Sequence, residues 1–152
     1  MKKLLPIVIL LFLLLCACNQ DHAPEPDIGT DSFASTVPIR IEYADDTVIS
    51  AHHYDCGEEE YVTSLAITAN EDVEDLTFSM LTWSESNSYT VEQDYKTVAQ
   101  LDSGSVFLAD IVFYGDLTTY GIRFRDKAGT MRYYCIYISG KDGSLICDEY
   151  TP

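Results

Sequence analysis

Basic side chains are scarce in this chain. Lys and Arg number 9 against 25 Asp and Glu, a formal net charge of −16 over 152 residues. That sign excludes nucleic acid as a partner, because phosphate recognition needs clustered Lys and Arg. Flat docking on an anionic bilayer is disfavoured for the same reason. Also missing is any segment with a sustained 3.6-residue apolar period, which excludes a helical core. The apolar run Leu4 to Leu15 is twelve residues, short of the about 20 that a membrane-spanning helix needs. Histidine is rare, with three in all. His22 sits in a polar stretch poor in apolar residues, so only His52 and His53 remain as imidazoles in a foldable context.

Known metal spacings are absent too. The acidic clusters Glu58-Glu59-Glu60 and Asn70-Glu71-Asp72-Val73-Glu74-Asp75 lack the D-x-[DN]-x-[DN]-G spacing of a calcium loop, and read as solvated turns. No carboxylate pair stands out among so many as a glycosidase couple. No cofactor and no metal is expected.

Present, by contrast, is a distinctive N-terminus. Lys2-Lys3 precede the apolar run, and the run ends in Leu15-Cys16-Ala17-Cys18. A positive start followed by a short apolar segment reads as a secretory signal, not as a span. The ending resembles the lipobox of bacterial lipoproteins: an aliphatic residue three places before a cysteine and a small residue directly before it. Leu13-Leu14-Leu15-Cys16 matches less well, because Leu15 is bulky where a small residue belongs. The resemblance covers residues 1–18. It implies cleavage of a signal peptide, residues 1–17, and diacylglyceryl transfer to the Cys18 thiol. Two or three acyl chains then hold the protein on a cell membrane, facing outside the cytoplasm, at the cell surface or the periplasmic side. Cleavage would leave 135 residues (152 less 17), with seven basic ones (9 less Lys2 and Lys3) against 25 acidic, a net charge of −18.

Residues 18–37 carry acids, prolines and small polar residues with little to bury. They read as a lipidated N-terminus on a flexible acidic tether. From Pro38 the texture changes. Ile39–Tyr43 alternates apolar and polar residues, Thr47–Tyr54 and Tyr61–Ala69 are β-rich, and Leu76–Trp83 alternates again. Tyr89–Leu101 is more polar and suits a sheet edge. Strands follow around Phe107–Phe113, Tyr120–Arg125, Met131–Ser139 and Leu145–Tyr150, with turns at Asp126–Gly129 and Gly140–Gly143. Residues 38–152 are therefore expected to form a single all-β domain. It would be an antiparallel β-sandwich of about eight or nine strands, with a small barrel as second choice. Strand number and spacing are similar to those of immunoglobulin-like and fibronectin-type-III-like modules.

Three cysteines fall in the domain: Cys56, Cys135 and Cys147. Outside the reducing cytosol, pairing is open to them. If the Gly140–Gly143 turn closes a hairpin with an even register sum, Cys135 and Cys147 share a face and a cross-strand disulfide is expected; otherwise they remain free thiols. The stretch His52-His53-Tyr54-Asp55-Cys56 is where His, Asp and Cys gather. It supports an alternative assignment as a small envelope hydrolase or metal-dependent enzyme, although adjacent His side chains on a strand point to opposite faces. On Met131–Ser139, Tyr134, Ile136 and Ile138 suit the core. Tyr133, Cys135 and Tyr137 then face outward, where Tyr133 and Tyr137 with Trp83 would make an aromatic platform for a protein or carbohydrate ligand. The competing expectation is that another strand or the tether covers that face. The favoured assignment is a membrane-anchored recognition or accessory module, not an enzyme. A third possibility is capture of a basic partner through charge alone.

The two N-terminal cysteines separate by experiment. Cys18→Ser should abolish incorporation of labelled fatty acid, while Cys16→Ser should leave it intact.

Overall fold

The computed structural model describes residues 37–85, 87–114 and 118–152. The expected signal peptide, Cys18 and the expected tether up to residue 36 lie outside the described residues. The described chain forms nine strands and no helix: β1 (Ile39–Tyr43), β2 (His52–Tyr54), β3 (Thr63–Ala69), β4 (Val73–Trp83), β5 (Tyr89–Leu101), β6 (Val106–Ile111), β7 (Thr119–Arg125), β8 (Met131–Ile138) and β9 (Leu145–Glu149).

Alternation places the side chains. In β7, Tyr120, Ile122 and Phe124 are buried, whereas Arg123 and Arg125 point the other way. In β6, Phe107, Ala109 and Ile111 are buried. Each large apolar side chain taken fully out of water contributes about 1.5–3 kcal/mol before conformational entropy is counted. Faces of this kind need a second layer, and two sheets supply it, ordered β1-β3-β6-β2 and β5-β4-β7-β8-β9. The result is a β-sandwich, and neither sheet closes into a barrel. Phe78 lies at its centre, fully buried. Its ring centroid is 5.3 Å from Tyr120, 5.5 Å from Tyr54 and 6.0 Å from Phe107, so it ties the two sheets together.

The strands cross between the two sheets instead of completing one sheet before the other. β3 pairs with β6 and β4 with β7, while the chain changes sheet at β3–β4, β5–β6 and β6–β7. Tyr120 stands near the start of β7, and its hydroxyl donates to the Val112 carbonyl (2.8 Å), closing the β6–β7 corner. β2 lies at the edge of one sheet beside β6, and β9 at the edge of the other beyond β8.

Two expectations are corrected. The run Thr47–Tyr54 is a strand only at His52–Tyr54, and it pairs with β6 in parallel, so the sandwich is not wholly antiparallel. Local bonds explain the shortening. The Asp45 carboxylate accepts the Thr47 N–H (2.7 Å), and the Val48 N–H donates to the Asp45 carbonyl (3.1 Å). The Ser50 hydroxyl accepts the His52 N–H (2.9 Å) and donates to the Val106 carbonyl. Backbone groups satisfied in this way are not offered to a ladder. The Cys135–Cys147 disulfide does not form either: both thiols are free. The four-residue connection Gly140–Gly143, closed with Gly143 at φ +72, sets Cys135 opposite Asp148 and Ile136 opposite Cys147. The register sum is therefore odd, and the cysteines lie on opposite faces.

Removing the Tyr120 hydroxyl leaves the Val112 carbonyl buried without that donor. Tyr120→Phe should lower stability by about 1–3 kcal/mol, read as a lower urea midpoint with an unchanged slope.

Candidate functional site

The outer face of the five-stranded sheet is where the candidate residues meet. Ladder pairing aligns Ser79, Gly121, Cys135 and Asp148 across β4, β7, β8 and β9. Gly121 is required there. A Cβ on it would stand 2.7–2.8 Å from three atoms of the Leu81 side chain, which leans over the glycine and is only 4 % exposed. Around this row stand the outward tyrosines of β8, Tyr133 and Tyr137, on the face that alternation assigns them.

Trp83 ends β4 and pairs with Tyr89 at the start of β5. A short connection joins them, held by the Ser84 N–H donating to the Ser88 carbonyl (2.9 Å). The two rings meet edge to face, with centroids 4.7 Å apart. Tyr89 in turn packs on Tyr150 (5.2 Å), which follows β9. Trp83, Asn87, Tyr89, Tyr137, Asp148 and Tyr150 line a groove of about 360 Å³, with Cys135 at its floor. Trp83 is 60 % exposed.

The structure thus brings Trp83 and Tyr137 into one groove. It places Tyr133 one ring away, packed against the far side of Tyr150 at 5.9 Å. Among the described residues no strand covers this face. Tyr89 and Tyr150 were not singled out from the sequence. Tyr89 had a signal, since a tight connection after Trp83 makes it the cross-strand partner. Tyr150 had none, because its place depends on the β8–β9 register.

Electrostatics keep the groove aromatic and give it one sign of charge. Burial, then the neighbouring Cys135, push the Tyr89 phenol up to about 12. Burial likewise raises the Cys135 thiol, which donates to the Asp148 carbonyl (3.3 Å). Both groups are therefore neutral near pH 7. The Tyr137 hydroxyl donates to Asp148 Oδ2 (3.2 Å) and orients that carboxylate. Two cations on the same sheet are committed elsewhere. Arg123 makes two bonds to Asp94 (2.7 and 2.6 Å), with the Ser79 hydroxyl also donating to Asp94 (2.7 Å). Arg132 pairs with Glu149 (2.9 Å). Hydrogen bonding from Arg123 holds the Asp94 carboxyl at about 2.

The His52–Cys56 stretch is arranged differently. His53 Nε2 lies 2.7 Å from Asp110 Oδ2, and the Ser64 hydroxyl donates to Asp110 Oδ1 (2.6 Å). The carboxylate stands between imidazole and hydroxyl, so that imidazole takes no proton from the serine directly. Burial, reinforced by Asp55, Asp110 and Glu59, raises the Cys56 thiol. A cysteine nucleophile needs the opposite shift. Among the described residues no three His, Cys, Asp or Glu side chains gather as a metal site.

Compared with known proteins, the chain matches no family model, no curated protein and no solved structure. The functional argument therefore rests on the groove itself.

The Asp94–Arg123 pair carries a pH signature. In the unfolded chain Asp94 titrates near 3.9, and in the folded chain near 2. The pair's contribution is complete above about pH 4 and is lost as pH falls through about 2. Both side chains are partly exposed, so screening keeps it within about 0–1 kcal/mol. Asp94→Asn should flatten the stability curve between about pH 4 and pH 2, measured by urea unfolding at each pH.

Proposed function

We propose that this chain is a lipid-anchored extracytoplasmic lipoprotein that works by binding, with the groove of Trp83, Tyr89, Tyr137 and Tyr150 as its ligand site. The observation that carries the binding assignment is Trp83. Its ring stands in solvent at the mouth of a groove walled by three tyrosines, on a sheet whose opposite face is the core. Exposed aromatic surface of this kind marks interaction sites, because burying it against a partner releases water at little conformational cost. Leu81 packs closely over Gly121 on the same sheet, and strands held by a common core suit recognition on a preformed surface. The anchor assignment rests on the lipobox resemblance at Leu15–Cys18. A protein or carbohydrate ligand would be held by stacking on these rings.

The test uses the full-length lipoprotein in its own membrane with a photo-crosslinking residue at Asn87, on the groove rim. Ligand capture is expected with the native groove, and Trp83→Ala should reduce it by at least about tenfold, the size of a binding hot spot. Circular dichroism and the unfolding midpoint should remain unchanged. Equal capture by the Trp83→Ala protein would refute the assignment.

A further inference from the structure

We infer that the groove takes a cation, specifically the lysine or arginine side chain of a basic polypeptide segment. This rests on the groove being the ligand site and adds the chemistry of what enters it.

Three observations point the same way. The walls are aromatic: Trp83, Tyr89, Tyr137 and Tyr150, whose ring faces carry the negative end of a quadrupole and attract cations. One wall also carries the Asp148 carboxylate. It receives the Tyr137 hydroxyl, yet a carboxylate has about four acceptor positions, so capacity for an ammonium or guanidinium remains. Finally, no basic side chain lines the groove. On the same sheet, Arg123 and Arg132 are neutralised by Asp94 and Glu149. A cationic ligand meets attraction there without a resident competitor. The chain left after signal cleavage adds to it, since its net charge of −18 (7 basic against 25 acidic residues) draws basic partners from a distance at low ionic strength.

The shape selects a side chain on a polypeptide over a small free ammonium ion. A box for a small quaternary ammonium encloses it in rings, whereas this groove is open, with Trp83 more than half in solvent. A lysine or arginine offers an apolar stem for the rings and a charged end for the Asp148 carboxylate that lines the same groove. The residues that flank it in the partner then meet the rim. A neutral sugar would gain from stacking but nothing from Asp148's charge or from the field of the chain.

Trp83 is the single tryptophan of the sequence, so its emission reports on the site directly. The full-length lipoprotein, held in a polyoxyethylene detergent that carries neither sugar nor choline, would be titrated with an octalysine peptide. Parallel titrations would use its fully Nε-acetylated form, a neutral oligosaccharide and choline. A saturable emission change is expected with octalysine alone, weakening at least about tenfold between about 50 and 500 mM salt. Asp148→Asn and Tyr137→Ala should each weaken it at least about fivefold, with the circular dichroism spectrum retained. Two outcomes would overturn the cation while leaving the groove as a ligand site: equal binding of the acetylated peptide, or saturable binding of the oligosaccharide. Choline binding as tightly as octalysine would overturn the polypeptide. Octalysine binding that ignores both substitutions would mean attraction by the surface at large, and would overturn the site. Crosslinking from Asn87 that persists when octalysine fails would overturn this inference without touching the binding assignment.

Discussion

Burial of Phe78, Ile122 and Ile136 between the two sheets sets the parity of the strands that carry them, and with it every side chain on the opposite face. Side chains alternate with a period of two, so a one-residue slip would exchange the faces completely. Phe78 raises the cost of such a slip. Its contacts with Tyr54, Phe107 and Tyr120 come from three other strands and both sheets, and all would be lost together. The outward placement of Tyr133, Cys135 and Tyr137 follows from this constraint and needs no outward force of its own.

The β8–β9 connection adds a second choice within the same rule. Four residues between Ser139 and Ser144 yield an odd register, which separates Cys135 from Cys147 and brings Asp148 beside Cys135. One geometric decision thus removes a crosslink from the fold and installs a carboxylate in the groove. The thiol at the floor stays protonated through burial and serves as a small apolar residue with a weak donor. Stability without the crosslink then rests on the core and on the Tyr120 corner, which links the start of β7 to the end of the β6 side.

The aromatic groove lies on the outer face of one sheet, apart from the core. The sandwich supplies rigidity, and the sheet supplies a flat array on which rings from β4, β5, β8 and the segment after β9 converge. Acidity has a place in the same scheme. Excess negative charge disfavours approach to an anionic surface, while Arg123 and Arg132 of the sheet are held in ion pairs with Asp94 and Glu149. The groove itself combines aromatic walls with the Asp148 carboxylate.

Local periodicity determined a large part of this by itself. Alternation in Tyr120–Arg125 and in Met131–Ile138 is enough to say which residues face the core, because the period is a property of the extended backbone. Turn chemistry at Asp126–Gly129 and Gly140–Gly143 places the strand ends for the same local reason. The tertiary structure decided what depends on which strands become neighbours. Parallel pairing of β2 with β6, the meeting of Trp83 with Tyr150 in one groove and the pairing of His53 with Asp110 join residues 55 to 67 positions apart. The odd hairpin register belongs there too, since it turns on a single residue in a four-residue loop. Local sequence holds each strand's pattern, but register and neighbour choice are settled by the total area buried when both sheets close on one core.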